Sequence, residues 1–146
     1  MLGQAPMVRL RIILSNGKFW SGILAAASFS RGTAFINRPP VTSNVASGAI
    51  EAFITYQTWG WILILTSAGI LVSQLHKKLR NIGVLAHIVS VWAYGTFTLS
   101  VAISSIYTGQ SWSNLGLFFT QVVLHITCAI YIGDEIARAR QGLKVE

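Results

Sequence analysis

Acidic side chains are almost missing from this sequence: Glu51, Asp134, Glu135 and Glu146 are all it has. That scarcity leaves no paired acids for acid–base catalysis and no oxygen-rich cage for a hard metal ion. Charge of either sign is sparse, at 10% of the residues, where soluble domains typically carry about 25%. The single cysteine, Cys128, excludes an intrachain disulfide, and no metal-ligand spacing surrounds it. The short motifs of soluble enzymes (P-loop, GxGxxG, HExxH, GxSxG) are absent as well. The composition therefore points away from an enzyme, a cofactor and a small-molecule substrate.

What is present is apolar. Hydrophobic residues make up 53% of the chain and the mean hydropathy is +0.59. No formally charged residue stands between Glu51 and Lys77, or between Arg80 and Asp134. The second gap is long enough for two crossings of a bilayer at about 20 residues each, and "YTGQSWSN" near its middle supplies the turn residues. A chain of 146 residues then forms one all-α, polytopic domain whose first partner is the lipid bilayer. Its net charge of +7 sits in tails and short loops, where membrane proteins keep their basic residues. A nucleic-acid-binding face would gather that charge on one surface, so no nucleic acid is expected.

Hydropathy and charge predict transmembrane helices at 56–75, 82–107 and 112–133. The segment "FWSGILAAASFSRGTAFI", 19–36, is less clear. Its charge-free part, Phe19 to Ser30, spans only about 18 Å as a helix, against about 30 Å of hydrocarbon. A signal peptide and an interfacial helix are the other readings. Charge parity favours a crossing. If 19–36 spans and the 76–81 loop is cytoplasmic, Arg9, Arg11, Lys18, Lys77, Lys78, Arg80, Arg138, Arg140 and Lys144 all lie inside. Only Arg31 and Arg38 then lie outside, as the positive-inside tendency requires. The expectation is four transmembrane helices, with three as the alternative, and both termini cytoplasmic. A basic segment at 1–18, an outer loop at 37–55 containing Pro39 and Pro40, and a charged tail at 134–146 complete the layout.

The basic cluster in "SQLHKKLRNIG" is read on this basis as a topological anchor rather than a binding patch. Lys77, Lys78 and Arg80 share that role with Arg138 and Arg140. Arg31, in the outer turns of its helix, is expected to snorkel to the headgroups. Tyr56, Trp59, Trp61, Tyr107 and Trp112 form an outer interfacial belt, and Trp92, in mid-helix, is a packing anchor.

Ionisable residues inside a membrane are candidates for function. Asn114, Gln121, His125, Cys128 and Glu135 share one face of the last helix, and His87, Ser90, Tyr94 and Thr98 form a similar stripe on the third. Counted from the cytoplasmic helix ends, the two histidines differ in depth by roughly 5 Å, so antiparallel neighbours would bring the imidazoles together. His87, Ser90, Tyr94, Gln121, His125 and Cys128 are the candidate intramembrane seam. Three readings stay open: interhelical hydrogen bonds that fix packing, a seam that becomes wet when copies assemble, and bis-histidine ligation of a haem.

The order of features resembles a known group. A basic "RLRIILSNGKFWSGILAA" leads to the outer loop "NRPPVTSN", and Trp-Gly-Trp opens "TWGWILILTSAGILV". "LAHIVSVWAYGTF" and "LHITCAIYIGDEIARAR" follow. This pattern resembles the small four-helix membrane proteins of bacteriophages of actinobacteria, some of which are described as holins. The resemblance covers most of the chain and implies a non-enzymatic viral protein of the host cytoplasmic membrane. Such a protein accumulates, oligomerises through its polar helix faces and permeabilises the membrane. Four crossings depart from the two or three of the better-known holins. Two alternatives come from other classes: a structural or accessory subunit of a larger membrane complex, and a superinfection-exclusion factor. The acid-free, Arg-containing first fifty residues also resemble a mitochondrial presequence, which would place such a subunit in the mitochondrial inner membrane.

Overall fold

The computed structural model describes residues 17–37, 55–108 and 113–142. The basic segment before Gly17, the loop containing Arg38, Pro39 and Pro40, the turn with Trp112, and the last four residues lie outside them. Among the described residues the structure is all-helical, with four α-helices and no strand. We number them α1 (Gly17–Ile36), α2 (Tyr56–Leu75), α3 (Arg80–Thr108) and α4 (Ser113–Arg140). Three stretches are long and apolar enough to cross a membrane: Tyr56–Leu75, Lys77–Tyr107 and Leu115–Arg140. α4 thus continues as helix past residue 133 into the segment expected to be tail, where an exposed Asp134–Arg138 pair one turn apart lies at 2.8 Å.

Local chemistry sets the ends. Thr55 caps α2 by accepting the Thr58 backbone N–H at 3.3 Å. α2 stops where His76 turns extended, and a 3₁₀ turn over Lys77–Leu79 leads directly into α3. The basic cluster is therefore a tight corner, which forces α2 and α3 to run antiparallel as neighbours. Asn37 ends α1 by donating its side-chain amide to the Thr33 carbonyl at 2.9 Å.

The four helices form an up-down-up-down bundle. α1 meets α2 antiparallel along its whole length. At one end the Gln74 side chain donates to the Lys18 carbonyl at 3.2 Å, and in the middle the Ser67 hydroxyl donates to the Ala25 carbonyl. At the other end Gly32 and Gly60 bring the two backbones together: a Cβ on either would lie 2.7 Å from the other's carbonyl oxygen. The buried face of α1 is Gly17, Ser21, Leu24, Ala25, Ser28 and Gly32, a stripe of small residues of the kind that lets helices approach closely without a hydrophobic drive. α3 pairs with α2 on one side and α4 on the other.

The polarity of the bundle is inverted. Its interior holds Ser21, Ser28, Ser67, His87, Ser90 and His125 with almost no exposure, while Leu65, Leu85, Leu99, Ile106, Phe119 and Ile130 lie on the outside. Water would not tolerate so large an apolar exterior, whereas lipid would. Hydroxyls along the helices donate to carbonyls one turn back, as in Ser90 to Ala86 at 2.9 Å and Thr98 to Tyr94 at 2.8 Å. That satisfies them without help from solvent.

The expected interfacial belt needs correction. Tyr56 and Trp59 are not part of an interfacial belt: they are 8% and 1% exposed and pack with Leu63, Ala93, Tyr94 and Phe97 into the aromatic core at the far end from the basic corner. Trp61 and Tyr107 do face outward. α2 presents Trp59 and Trp61 on different faces, because two residues along a helix turn a side chain by about 200°. Trp92 packs its ring on Trp59 at 5.0 Å, yet half its surface remains exposed.

A candidate polar seam inside the bundle

The two histidines meet. His87 on α3 and His125 on α4 are both fully buried, and their Nδ1 atoms lie 2.8 Å apart. One ring must donate its Nδ1–H and the other accept. His87 Nε2 then bonds Ser21 Oγ on α1 at 3.2 Å, as acceptor in one tautomeric arrangement and as donor in the other. The arrangements differ only in which way the protons point. In both, His125 Nε2 is buried with no hydrogen-bond partner.

A second layer lies one to two turns farther from the basic corner. Tyr94 stacks on the His125 ring with centroids 5.5 Å apart, and its hydroxyl shares a 3.0 Å hydrogen bond with Ser28. The Arg31 guanidinium lies over the Phe118 ring at 4.7 Å and near the Tyr94 ring at 5.9 Å. Arg31 therefore does not snorkel outward, because two aromatic faces attract the cation inward. One of its terminal nitrogens, Nη1, is buried without a partner, as is Gln121 Oε1.

At the basic end the seam closes on an ion pair. Arg80 meets Glu135 at 3.3 Å, with side chains 14% and 11% exposed, and the Tyr131 hydroxyl donates to the other carboxylate oxygen at 3.3 Å. Arg80, expected only as an anchor, thus has a specific partner, whereas Lys78, Arg138 and Arg140 are exposed.

Of the six seam candidates, His87, Tyr94, His125 and Cys128 come together in the interior. Gln121 reaches inward without a partner, and Ser90 is satisfied by its own helix. The side chain of Asn114 lies outside the described residues. Sequence reasoning missed the third wall, since Ser21, Ser28 and Arg31 all come from α1. The signal was there: Ser21 and Ser28 are seven residues apart and share a helix face with Leu24 and Ala25. The directly bonded imidazole pair leaves no space for a haem iron between the rings. Among the described residues no group of three or more His, Cys, Asp or Glu side chains is placed to hold a metal ion.

Chemically, the arrangement is a column of donors and acceptors inside an apolar shell, closed by an ion pair at one end and an aromatic cluster at the other. No protein-family model, curated protein or solved structure matches this chain.

Proposed function

We propose that this chain is a non-enzymatic integral membrane protein with four crossings, holin-like in action, that oligomerises and permeabilises a bacterial cytoplasmic membrane. The observation that carries the reading is the set of buried, unpartnered polar atoms along the seam: Arg31 Nη1, Gln121 Oε1 and His125 Nε2. Unpaired polar groups in a low-dielectric interior are unfavourable, so a rearrangement that lets water reach them gains their hydration. The apolar exterior of α4 gives copies of the chain a surface on which to associate within the bilayer.

The four-crossing part rests on the match between α1 and α2. Contacts from Lys18 and Gln74 at one end to Gly32 and Gly60 at the other give α1 the same depth as a helix that is itself long enough to span. With Cys128 replaced by Ala, a cysteine at Asn37 is expected to react with a membrane-impermeant thiol reagent from outside the cell. Cysteines at His76 and Gln141 should react only after lysis. External labelling at His76 would reverse the orientation, and external labelling of a cysteine at Ala5, which four crossings keep inside, would leave three crossings.

Permeabilisation is tested by inducible expression with dye leakage and membrane potential followed over time. Wild type should leak. His125→Leu with Gln121→Leu should insert normally and reduce leakage at least tenfold, because it removes two of the three unpartnered polar groups that water would wet. A second reading, a passive subunit of a larger complex, is favoured by the His87–His125 hydrogen bond, which pairs both imidazoles within one chain. It expects insertion without leakage in wild type, and only a modest stability loss in the variant, since interhelical hydrogen bonds in membranes average about 0.6 kcal/mol.

A further inference from the structure

The basic end of the bundle holds a cleft of about 170 Å³ lined by Lys18 and Ser21 of α1, Ser73, Gln74 and Leu75 of α2, Lys77 of the corner, Arg80 of α3, and Tyr131, Ile132 and Glu135 of α4. Its volume is far above the roughly 10–15 Å³ that one water requires. Three cations face one carboxylate there, which leaves the lining with a net charge of +2. That carboxylate is already engaged, by Arg80 at 3.3 Å and by the Tyr131 hydroxyl at 3.3 Å. Lys18 and Lys77 form no ion pair among the described residues, and both are exposed. α3 begins at Arg80, so the positive end of its helix dipole adds to the same region.

We propose that this cleft binds the phosphate headgroup of an anionic phospholipid. The charge alone would suit any phosphate. The surroundings select a lipid: Leu75, 81% exposed, and Ile132 form part of the lining, and Phe19, 60% exposed, neighbours Lys18 in sequence. An apolar rim beside a cationic floor, at the level where apolar helices end, fits a molecule that carries a phosphate on acyl chains. Basic pockets between transmembrane helices suit such headgroups. The corner that orients the helices is thereby also a recognition site. Its residues divide by role, because Lys77 and Arg80 line the cleft and Lys78 does not. This site is independent of whether the seam conducts.

The test uses the full-length protein purified in neutral detergent, with thermal unfolding followed as lipid is titrated. Phosphatidylglycerol is expected to raise the melting temperature saturably. Phosphatidylcholine and inorganic phosphate at the same concentration should leave it in place. Lys18→Gln with Lys77→Gln should shift half-saturation by about twenty-five-fold, each cation near an anionic lipid surface being worth about fivefold. Arg138→Gln with Arg140→Gln removes the same formal charge from the exposed tail of α4 and should shift it less than twofold. Equal losses in the two double variants would reduce the effect to general electrostatics and overturn the site. A shift with phosphatidylcholine equal to that with phosphatidylglycerol would do the same. Stabilisation by inorganic phosphate alone would make the cleft a free-anion site and overturn the lipid assignment.

Discussion

Arg80→Gln is expected to destabilise the bundle by about 3 kcal/mol, measured by unfolding in mixed micelles of rising denaturing-detergent content. The figure is the lower end of what breaking a buried ion pair costs, chosen because both side chains retain some exposure, 14% and 11%. The loss arises less from the missing attraction than from what remains. Glu135, 8% exposed, would lose its ion-pair partner and keep only the Tyr131 hydroxyl within hydrogen-bonding distance. Glu135→Gln in the same background removes the stranded charge, so the double variant should recover most of the loss. A double variant as unstable as Arg80→Gln alone would mean that Arg80 acts through something other than this pair.

Gly60→Val is the second large effect. The Cβ of any residue at Gly60 would meet the Gly32 carbonyl oxygen at 2.7 Å and Ile36 Cγ1 at 2.7 Å. A flexible side chain can move aside, but a helix backbone cannot do so without displacing its whole turn. Overpacking in a close-fitted core costs about 1–3 kcal/mol, and contact with backbone puts this substitution at the upper end. Valine at Gly60 should therefore separate α1 from α2 at the aromatic end. A disulfide probe between cysteines at Gln57 and Asn37 would report that separation as slower cross-linking. Gly95 is the control, since nothing lies within 4 Å of a Cβ placed there. Gly95→Ala should be neutral or stabilise by up to about 1 kcal/mol through helix propensity. If Gly60→Val and Gly95→Ala behave alike, the close approach of α1 and α2 does not hold the bundle together.

The long helices and the inward-facing polar stripes were legible in the sequence, because both arise from local rules. A charge gap of two dozen residues or more admits an apolar helix wherever the chain goes, and residues three, four or seven apart share a helix face regardless of what lies opposite. The heights of His87 and His125 follow from counting residues at a fixed rise per residue. The choice of partner is not local. Whether Tyr56 and Trp59 face headgroups or core depends on which helices surround α2. Whether Arg31 points outward or onto Phe118 depends on α4 presenting an aromatic face at that depth. The pairing of Arg80 with Glu135 joins residues far apart in the chain, and its distance appears only once α3 and α4 are side by side. The third wall of the seam was decided in the same way. Ser21 and Ser28 reach His87 and Tyr94 because the small residues of α1 let it settle deep between its neighbours, and close packing of that kind depends on all the surfaces at once.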